Sequence, residues 1–192
     1  MSGHHHPDDG GAGPAPVTAG RRNLELKARL DALDAARHIA QRLATEPPRT
    51  QIQTDVYFHC RQGRLKLRHI EGSTAQLVSY SRPDQREVSL SRYRLVDMPD
   101  AAGVVQALAD ALGVWLTVRK RREIHMYHNV RIHLDEVDDL GTFLEFEAVL
   151  GPTADEPTSQ QRLDFLIQQF DIRPDSLIDH SYSDMLAARS DE

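Results

Sequence analysis

The stretch Arg131–Glu147, RIHLDEVDDLGTFLEFE, decides how this chain is read. Two runs of strand character flank Asp138-Asp139-Leu140-Gly141, a tight turn, so the segment predicts a β-hairpin. Side chains alternate along a strand, which places Glu145 and Glu147 on one face and Leu144 and Phe146 on the other. Arg131, His133 and Asp135 share one parity and can join the carboxylate face. Two carboxylates two residues apart repel, a cost tolerated where a divalent cation or basic groups lie between them. On that basis, neutralising both as glutamine is expected to hold or raise stability without ligand. The bare pattern also suits the solvated outer face of an antiparallel sheet, so the flanking sequence has to decide.

Working outward, the same arrangement recurs with the opposite charge. Val114–Tyr127 reads as a strand in which Lys120 and Arg122 share a face with Val118, while Arg119 and Arg121 take the other. Gln51–Cys60 and Arg64–Ile70 form a hairpin around Arg61-Gln62-Gly63, and Arg64, Lys66 and Arg68 align on one wall with Leu65 and Leu67 on the reverse. Three aligned cations repel unless a polyphosphate or facing carboxylates neutralise them, although a charged edge that prevents aggregation has the same pattern. Gln76–Arg82 and Arg86–Leu95 are two more strands around Pro83-Asp84. Arg22–Leu30 is the first strand, with Asn23, Glu25, Lys27 and Arg29 opposite Leu24, Leu26, Ala28 and Leu30.

Helices fall between these strands. Asp34 is placed to cap one running to about Ala44, with Ala36, Ile39, Ala40 and Leu43 as its apolar stripe. Pro99–Leu112, closed by Gly113, gives a second with Ala102, Val105, Leu108, Ala109 and Leu112 inward. Thr158 or Ser159 caps a third carrying Leu163, Leu166, Ile167 and Phe170, and Asp175–Ala188 ends the chain in a short helical segment. Residues 1–20 are rich in Gly, Pro, Ala and Asp without periodicity and are expected to be disordered; His4, His5 and His6 there could bind metal loosely, but three adjacent histidines in such a terminus more often mean an expression remnant or nothing. A single folded unit is expected over 21–188, with 189–192 frayed.

Composition bounds the function. The 192 residues carry 23 basic and 29 acidic side chains, a net charge of −6, which argues against a general nucleic-acid coat. The basic residues nevertheless gather in the middle and the acids in the last third, a segregation suited to a polyanion held by cations on one side and metal on the other. No apolar run is long enough for a membrane span and the start lacks a signal-peptide core, so a cytoplasmic location with no membrane partner is expected. Cys60 is the single cysteine and permits no internal disulfide.

Collected, the strands number about eight, with charged like-facing positions and apolar reverse faces. That inverts the usual sandwich: the apolar face would pack outward against helices and the charged face would line a barrel interior. The fold class expected is α+β, a closed antiparallel barrel of roughly eight strands with flanking helices.

These elements resemble a known family. The ordered set NLELK (Asn23–Lys27), QTDVYF (Gln53–Phe58), GRLKLR (Gly63–Arg68), YSRPD from Tyr80, RIHLDEVDDLG from Arg131, FLEFE from Phe143 and the terminal SYSDML is similar to the CYTH domain, the triphosphate-tunnel group of class IV adenylyl cyclases, thiamine triphosphatases and inorganic triphosphatases. The resemblance implies Mg²⁺ or Mn²⁺ bound by Glu25, Asp135, Glu145 and Glu147. It implies triphosphate binding by Lys27, Arg64, Lys66, Arg68, Arg82, Lys120, Arg122 and Arg131, with Lys27, Lys66, Arg68, Glu145 and Glu147 closest to catalysis. The implied activity is that of a class IV adenylyl cyclase making 3′,5′-cyclic AMP and pyrophosphate from ATP. The alternatives are hydrolysis of inorganic or thiamine triphosphate, and a non-catalytic nucleotide or polyphosphate binder. No nucleic-acid partner is implied, and a homodimer is the implied assembly. Two positions depart from the family pattern: Asn23 stands where the signature Glu-x-Glu-x-Lys has its first glutamate, and His180 is the nearest counterpart of a C-terminal lysine.

Overall fold

A computed structural model describes residues 20–81, 87–152 and 154–190. Eight strands, β1 (Arg21–Arg29), β2 (Arg49–Phe58), β3 (Arg64–Ile70), β4 (Ala75–Ser81), β5 (Ser89–Met98), β6 (Val114–Tyr127), β7 (Val130–Val137) and β8 (Gly141–Val149), are joined with four α-helices: α1 (Leu33–Leu43), α2 (Ala101–Leu112), α3 (Glu156–Gln169) and α4 (Tyr182–Ser190). The strands close into an antiparallel barrel in the order β1-β5-β4-β3-β2-β6-β7-β8. The expected α+β class and closed barrel are therefore observed. Closure removes every sheet edge, so the charged strands cannot be aggregation guards on an exposed edge.

Parity decides what goes where. On β1, β7 and β8, Leu24, Leu26, Ile132, Leu134, Leu144 and Phe146 point outward and pack beneath α1 and α3 against Ala36, Ala40, Leu163 and Leu166. Around β2 and β3, Phe58 and Leu67 meet α2. A third apolar cluster, Tyr57, Val118, Val137, Leu140 and Phe143, packs with Tyr182 of α4 at one end of the barrel. The hydrophobic core thus surrounds the barrel and packs at one end, leaving an interior that is largely charged with some apolar positions.

Local chemistry explains the turns and helix ends. Gly63 has φ 67°, and a Cβ there would come within 2.5 Å of the Tyr80 carbonyl oxygen, so only glycine lets β3 start beside β4. Asp139 (φ 63°) and Gly141 (φ 96°) provide the left-handed residues of the β7–β8 turn. Asp100 caps α2 by accepting from the Gly103 N–H.

Several helix details differ from expectation. Asp34 lies inside the first turn of α1 and pairs with Arg37; the N-cap is Ala32, without a side-chain cap. α3 is capped by Asp155, which accepts from the Thr158 N–H, because Pro157 occupies the first turn, where a missing N–H costs nothing. The inward stripe of α2 is Ala101, Val104, Val105, Leu108 and Ala109, with Leu112 exposed. That set follows the i, i+3, i+4, i+7, i+8 spacing that one face of a helix requires. α4 continues to Ser190, past the limit of 188 expected from sequence. The N-terminal tail lies outside the described residues, as do the Pro83-Asp84 turn and residues 191–192.

Candidate active site

The barrel interior holds a cavity of about 390 Å³. Its wall is charged on both signs: Arg21, Lys27, Arg49, Lys66, Arg68, Lys120, Arg122 and Arg131 on one hand, Glu25, Glu145 and Glu147 on the other. Register explains the convergence. β1 and β8 pair Glu25 with Glu147 and Lys27 with Glu145, and β7 adds Arg131 opposite Glu147 and His133 opposite Glu145. Opposite residues on antiparallel strands have Cβ atoms about 5 Å apart, so Glu145 has Lys27 and His133 beside it and Glu147 has Arg131, while Glu25 faces Glu147 and Ser89.

Contacts follow that pattern. Lys27 Nζ lies 3.4 Å from Glu145 Oε2, and Arg122 Nη2 lies at the same distance from that oxygen. Arg131 donates to Glu147 Oε2 at 2.9 Å. The His133 ring sits between the two glutamates, Nδ1 at 3.5 Å from Glu145 and Nε2 at 3.8 Å from Glu147. Burial opposes ionisation of Glu145, yet Arg122 and Lys27 outweigh it and hold the carboxyl well below the usual range. Burial, reinforced by Arg122, pushes the His133 imidazole below its ordinary value.

The opposite wall is built on a residue that strand parity alone did not single out. Asp55, fully buried on β2, receives Lys66 at 2.7 Å, Lys120 at 2.9 Å and both nitrogens of an Arg68 fork at 2.7 and 2.8 Å. The β2–β3 register places it directly opposite Arg68. Burial disfavours the charged carboxylate, but Arg68, Lys120 and Lys66 together keep Asp55 ionised, well below the ordinary value. A signal was available: in QTDVYF, Asp55 has the parity of Gln53 and Tyr57, which the hairpin turns towards Lys66 and Arg68.

Of the residues expected at the site, Glu25, Lys27, Lys66, Arg68, Lys120, Arg122, Arg131, Glu145 and Glu147 all line the cavity. Asp135, expected among metal ligands, does not. Its oxygens accept Arg122 Nε and Nη2 at 2.7 and 2.5 Å, and Oδ2 also accepts the Tyr182 hydroxyl at 2.8 Å. Arg64, expected at the phosphate, instead pairs with Asp184 of α4 at 2.6 Å beside Trp115. Both contact α4, Asp135 through Tyr182 and Arg64 through Asp184. Arg82 falls outside the described residues. His180 is exposed and faces Asp179, so its ring is not carried into the barrel.

Among the described residues, no three His, Cys, Asp or Glu side chains form a ready metal cage. The donor set nonetheless suits a hard divalent cation that arrives with phosphate, since Mg²⁺-type sites commonly use one or two carboxylates and complete their shell with substrate oxygens and water. Glu25 faces Glu147 across the β1–β8 ladder. Beside them Asn23 is fully buried; its amide N–H donates to Glu147, and its Oδ1 has no hydrogen-bond partner.

The CYTH domain family model matches residues 21–182. This chain belongs to the CYTH family. The domain is 22% identical over 171 residues to a protein of Methanocaldococcus jannaschii provisionally named an adenylate cyclase, covering 84% of this chain and 97% of that protein. A solved structure from Pyrococcus horikoshii has the same fold, with a TM-score of 0.73 and 22% identity over 84% of this chain and 98% of the other. So does a Hippeastrum protein, TM-score 0.58 and 16% identity over 90% and 96%, which is described as a provisional adenylyl cyclase with a dominant triphosphatase activity. No helix among the described residues of this CYTH domain is long and apolar enough to cross a membrane.

Lys120 gives the CYTH cavity a measurable pH response. Burial lowers its pKa from 10.5 to about 7, against the pull of Asp55. The unfolded chain therefore holds more protons than the native state between about pH 7 and 10.5. This group's destabilisation is fully present below pH 7 and is relieved as pH rises through that window. A bound polyanion favours the charged form, so triphosphate binding at pH 8 is expected to take up a proton, with affinity falling by at most about tenfold per pH unit above 7. Titration calorimetry in buffers of different ionisation enthalpy checks this; zero proton uptake would contradict it.

Proposed function

We propose that this CYTH domain is a metal-dependent enzyme acting on a nucleoside triphosphate in the manner of class IV adenylyl cyclases, converting ATP into 3′,5′-cyclic AMP and pyrophosphate. The observation that carries the reading is the two-sided interior: Lys66, Arg68, Lys120 and Arg122 on one wall, and Glu25, Glu145 and Glu147 on the other. Neutral ligands gain nothing from such a cavity, whereas a triphosphate offers oxygens to arginine forks and, through a cation, to carboxylates. Mg²⁺ or Mn²⁺ held by Glu25, Glu145 and Glu147 would neutralise phosphate charge on the acidic side.

The remaining work is positional, since phosphoryl chemistry needs screened oxygens and an in-line nucleophile more than covalent help. Arg68 and Lys66 rest on Asp55 until a phosphate replaces part of that carboxylate's role. Lys27 and Arg122 both contact Glu145, where the basic and acidic walls meet. In cyclisation the ribose 3′-oxygen bonds to the α-phosphorus, the bond to pyrophosphate breaks, and the hydroxyl proton is released. Along β6 the wall passes from Lys120 and Arg122 to Ile124 and Met126, joined by Ile70, Val78 and Leu95. That apolar lining supports a ligand with an organic group behind its phosphates.

The second reading is hydrolysis of the terminal phosphate, favoured by the dominant triphosphatase activity ascribed to the Hippeastrum protein. Incubating the protein with Mg²⁺ or Mn²⁺ and, separately, ATP, thiamine triphosphate and tripolyphosphate, with chromatography of the products, tests both. Cyclic AMP with pyrophosphate is the expected result. Free phosphate without cyclic product would replace the cyclase with a triphosphatase. Tight binding without turnover would leave a binder, with Asn23 the first position to restore as glutamate.

A further inference from the structure

The C-terminal helix delivers one side chain into the barrel that the assignment above does not use. Tyr182, at the start of α4, is 5% exposed, and its hydroxyl donates to Asp135 Oδ2 at 2.8 Å. Asp135 in turn receives Arg122 through Nε and Nη2. The same phenol ring lies under Lys27, whose Nζ is 3.9 Å from the ring centroid, and 5.7 Å from Lys120 Nζ. One tyrosine therefore lies against Lys27, within cation–π range of Lys120, and on the carboxylate that holds Arg122.

We propose that Tyr182 is a positioning residue for the phosphate site: its hydroxyl fixes Asp135, which aims the Arg122 guanidinium into the cavity. The inference rests on the triphosphate reading. A guanidinium is planar, with five N–H donors in a fixed fork, so the edge committed to Asp135 dictates where the others point. A carboxylate held only by that fork can pivot together with it. A third bond, from a neighbouring helix, makes the pair a fixed strut.

The hydroxyl is suited to this task as a donor. Burial raises its pKa well above the ordinary value, and Asp135 and Glu145 raise it further, so it keeps its proton. Nor does α4 depend on that hydroxyl for its place. The helix is also held by Asp184 to Arg64 and by Met185 and Leu186 packed against the cluster of Val118, Val137, Leu140 and Phe143. Positioning and docking can thus be separated by mutation.

The test is calorimetric binding of inorganic tripolyphosphate to wild type, Tyr182→Phe, Leu186→Ala, Arg122→Lys and the Tyr182→Phe/Arg122→Lys double variant, with melting temperatures for each. Tyr182→Phe keeps the ring and removes the hydroxyl; it is expected to bind roughly tenfold more weakly, the size of a lost hydrogen bond to a charged group, while melting within a few degrees of wild type. Leu186→Ala is expected to melt lower yet bind like wild type. In the Arg122→Lys background the tyrosine change should add little, because lysine cannot take up the two-point contact that the hydroxyl orients. Wild-type affinity in Tyr182→Phe overturns the inference, as does an equal loss in Leu186→Ala or fully multiplicative losses in the double variant. Absence of binding by wild type removes the triphosphate reading itself, and this inference with it.

Discussion

Asp55→Asn is expected to lower stability by about 3–5 kcal/mol, the cost of leaving buried charges without their partner. The reason is concentration of charge: Lys66, Lys120 and Arg68 all rest on this one fully buried carboxylate. An amide keeps the shape and some hydrogen bonds but cancels the negative charge, so Lys66 and Arg68 lose their counter-ion in a low-dielectric wall, and Lys120, already lowered to about 7, gives up its proton more readily. The same logic predicts the remedy. Tripolyphosphate supplies the missing negative charge, so the ligand-induced rise in melting temperature should be larger for the variant than for wild type. Differential scanning calorimetry with and without tripolyphosphate checks both parts. A variant as stable as wild type would show that the cations are satisfied elsewhere and would remove Asp55 from the centre of the wall.

The second large effect concerns the acidic side. Glu145→Gln combined with Glu147→Gln is expected to reduce metal-dependent turnover by at least about 10³-fold, in line with removing preorganised charge from a phosphoryl-transfer site. Stability should fall as well. The alternation of Glu145 and Glu147 by itself suggested relief of repulsion on neutralisation, but Lys27 and Arg122 contact Glu145, and Arg131 contacts Glu147. Arg122 keeps Asp135, but the contacts of Lys27 with Glu145 and of Arg131 with Glu147 are lost, at about 1–3 kcal/mol for a buried contact and less for one that is partly exposed, as Arg131 is. A steady-state assay with a melting curve on the ligand-free protein reads both quantities. Unchanged turnover would sink the assignment of metal binding to this wall.

The two walls also differ in how they meet a ligand. On the Asp55 side the resident anion is already bound, so an entering phosphate must compete with it. On the Glu145 side Lys27 and Arg122 are shared between the carboxylate and the cavity. Binding of a triphosphate would therefore be an exchange of ion pairs within the barrel interior, and the proton uptake expected at Lys120 is part of that exchange. The low local dielectric makes each exchange matter more than it would on the surface.

Much of the architecture was legible in the chain because strand parity is a local property. Alternation alone placed Glu145 with Glu147, Arg64 with Lys66 and Arg68, and Lys120 with Arg122. The excess of charged faces over what a sandwich can hide inside then pointed to a barrel turned inside out. Nine of the expected site residues line one cavity for that reason. Helix ends were less legible: Asp34, Thr158 and Ser159 are all competent caps, yet the observed caps are Ala32 and Asp155.

Sequence by itself determined which side chains share a face, because a period of two needs no partner to express it. Only the tertiary structure decided which face meets which. Asp55 is one acidic residue in an ordinary strand until the β2–β3 and β2–β6 ladders set Lys66, Arg68 and Lys120 around it. Asp135 has the same parity as the cavity-lining His133, yet α4 arrives from 47 residues further along the chain and claims it through Tyr182. Charge on a residue is written in the chain; whether that charge is spent on a ligand or on a neighbour depends on distances that folding alone creates, since electrostatic energy in a buried site is set by which opposite charge is nearest.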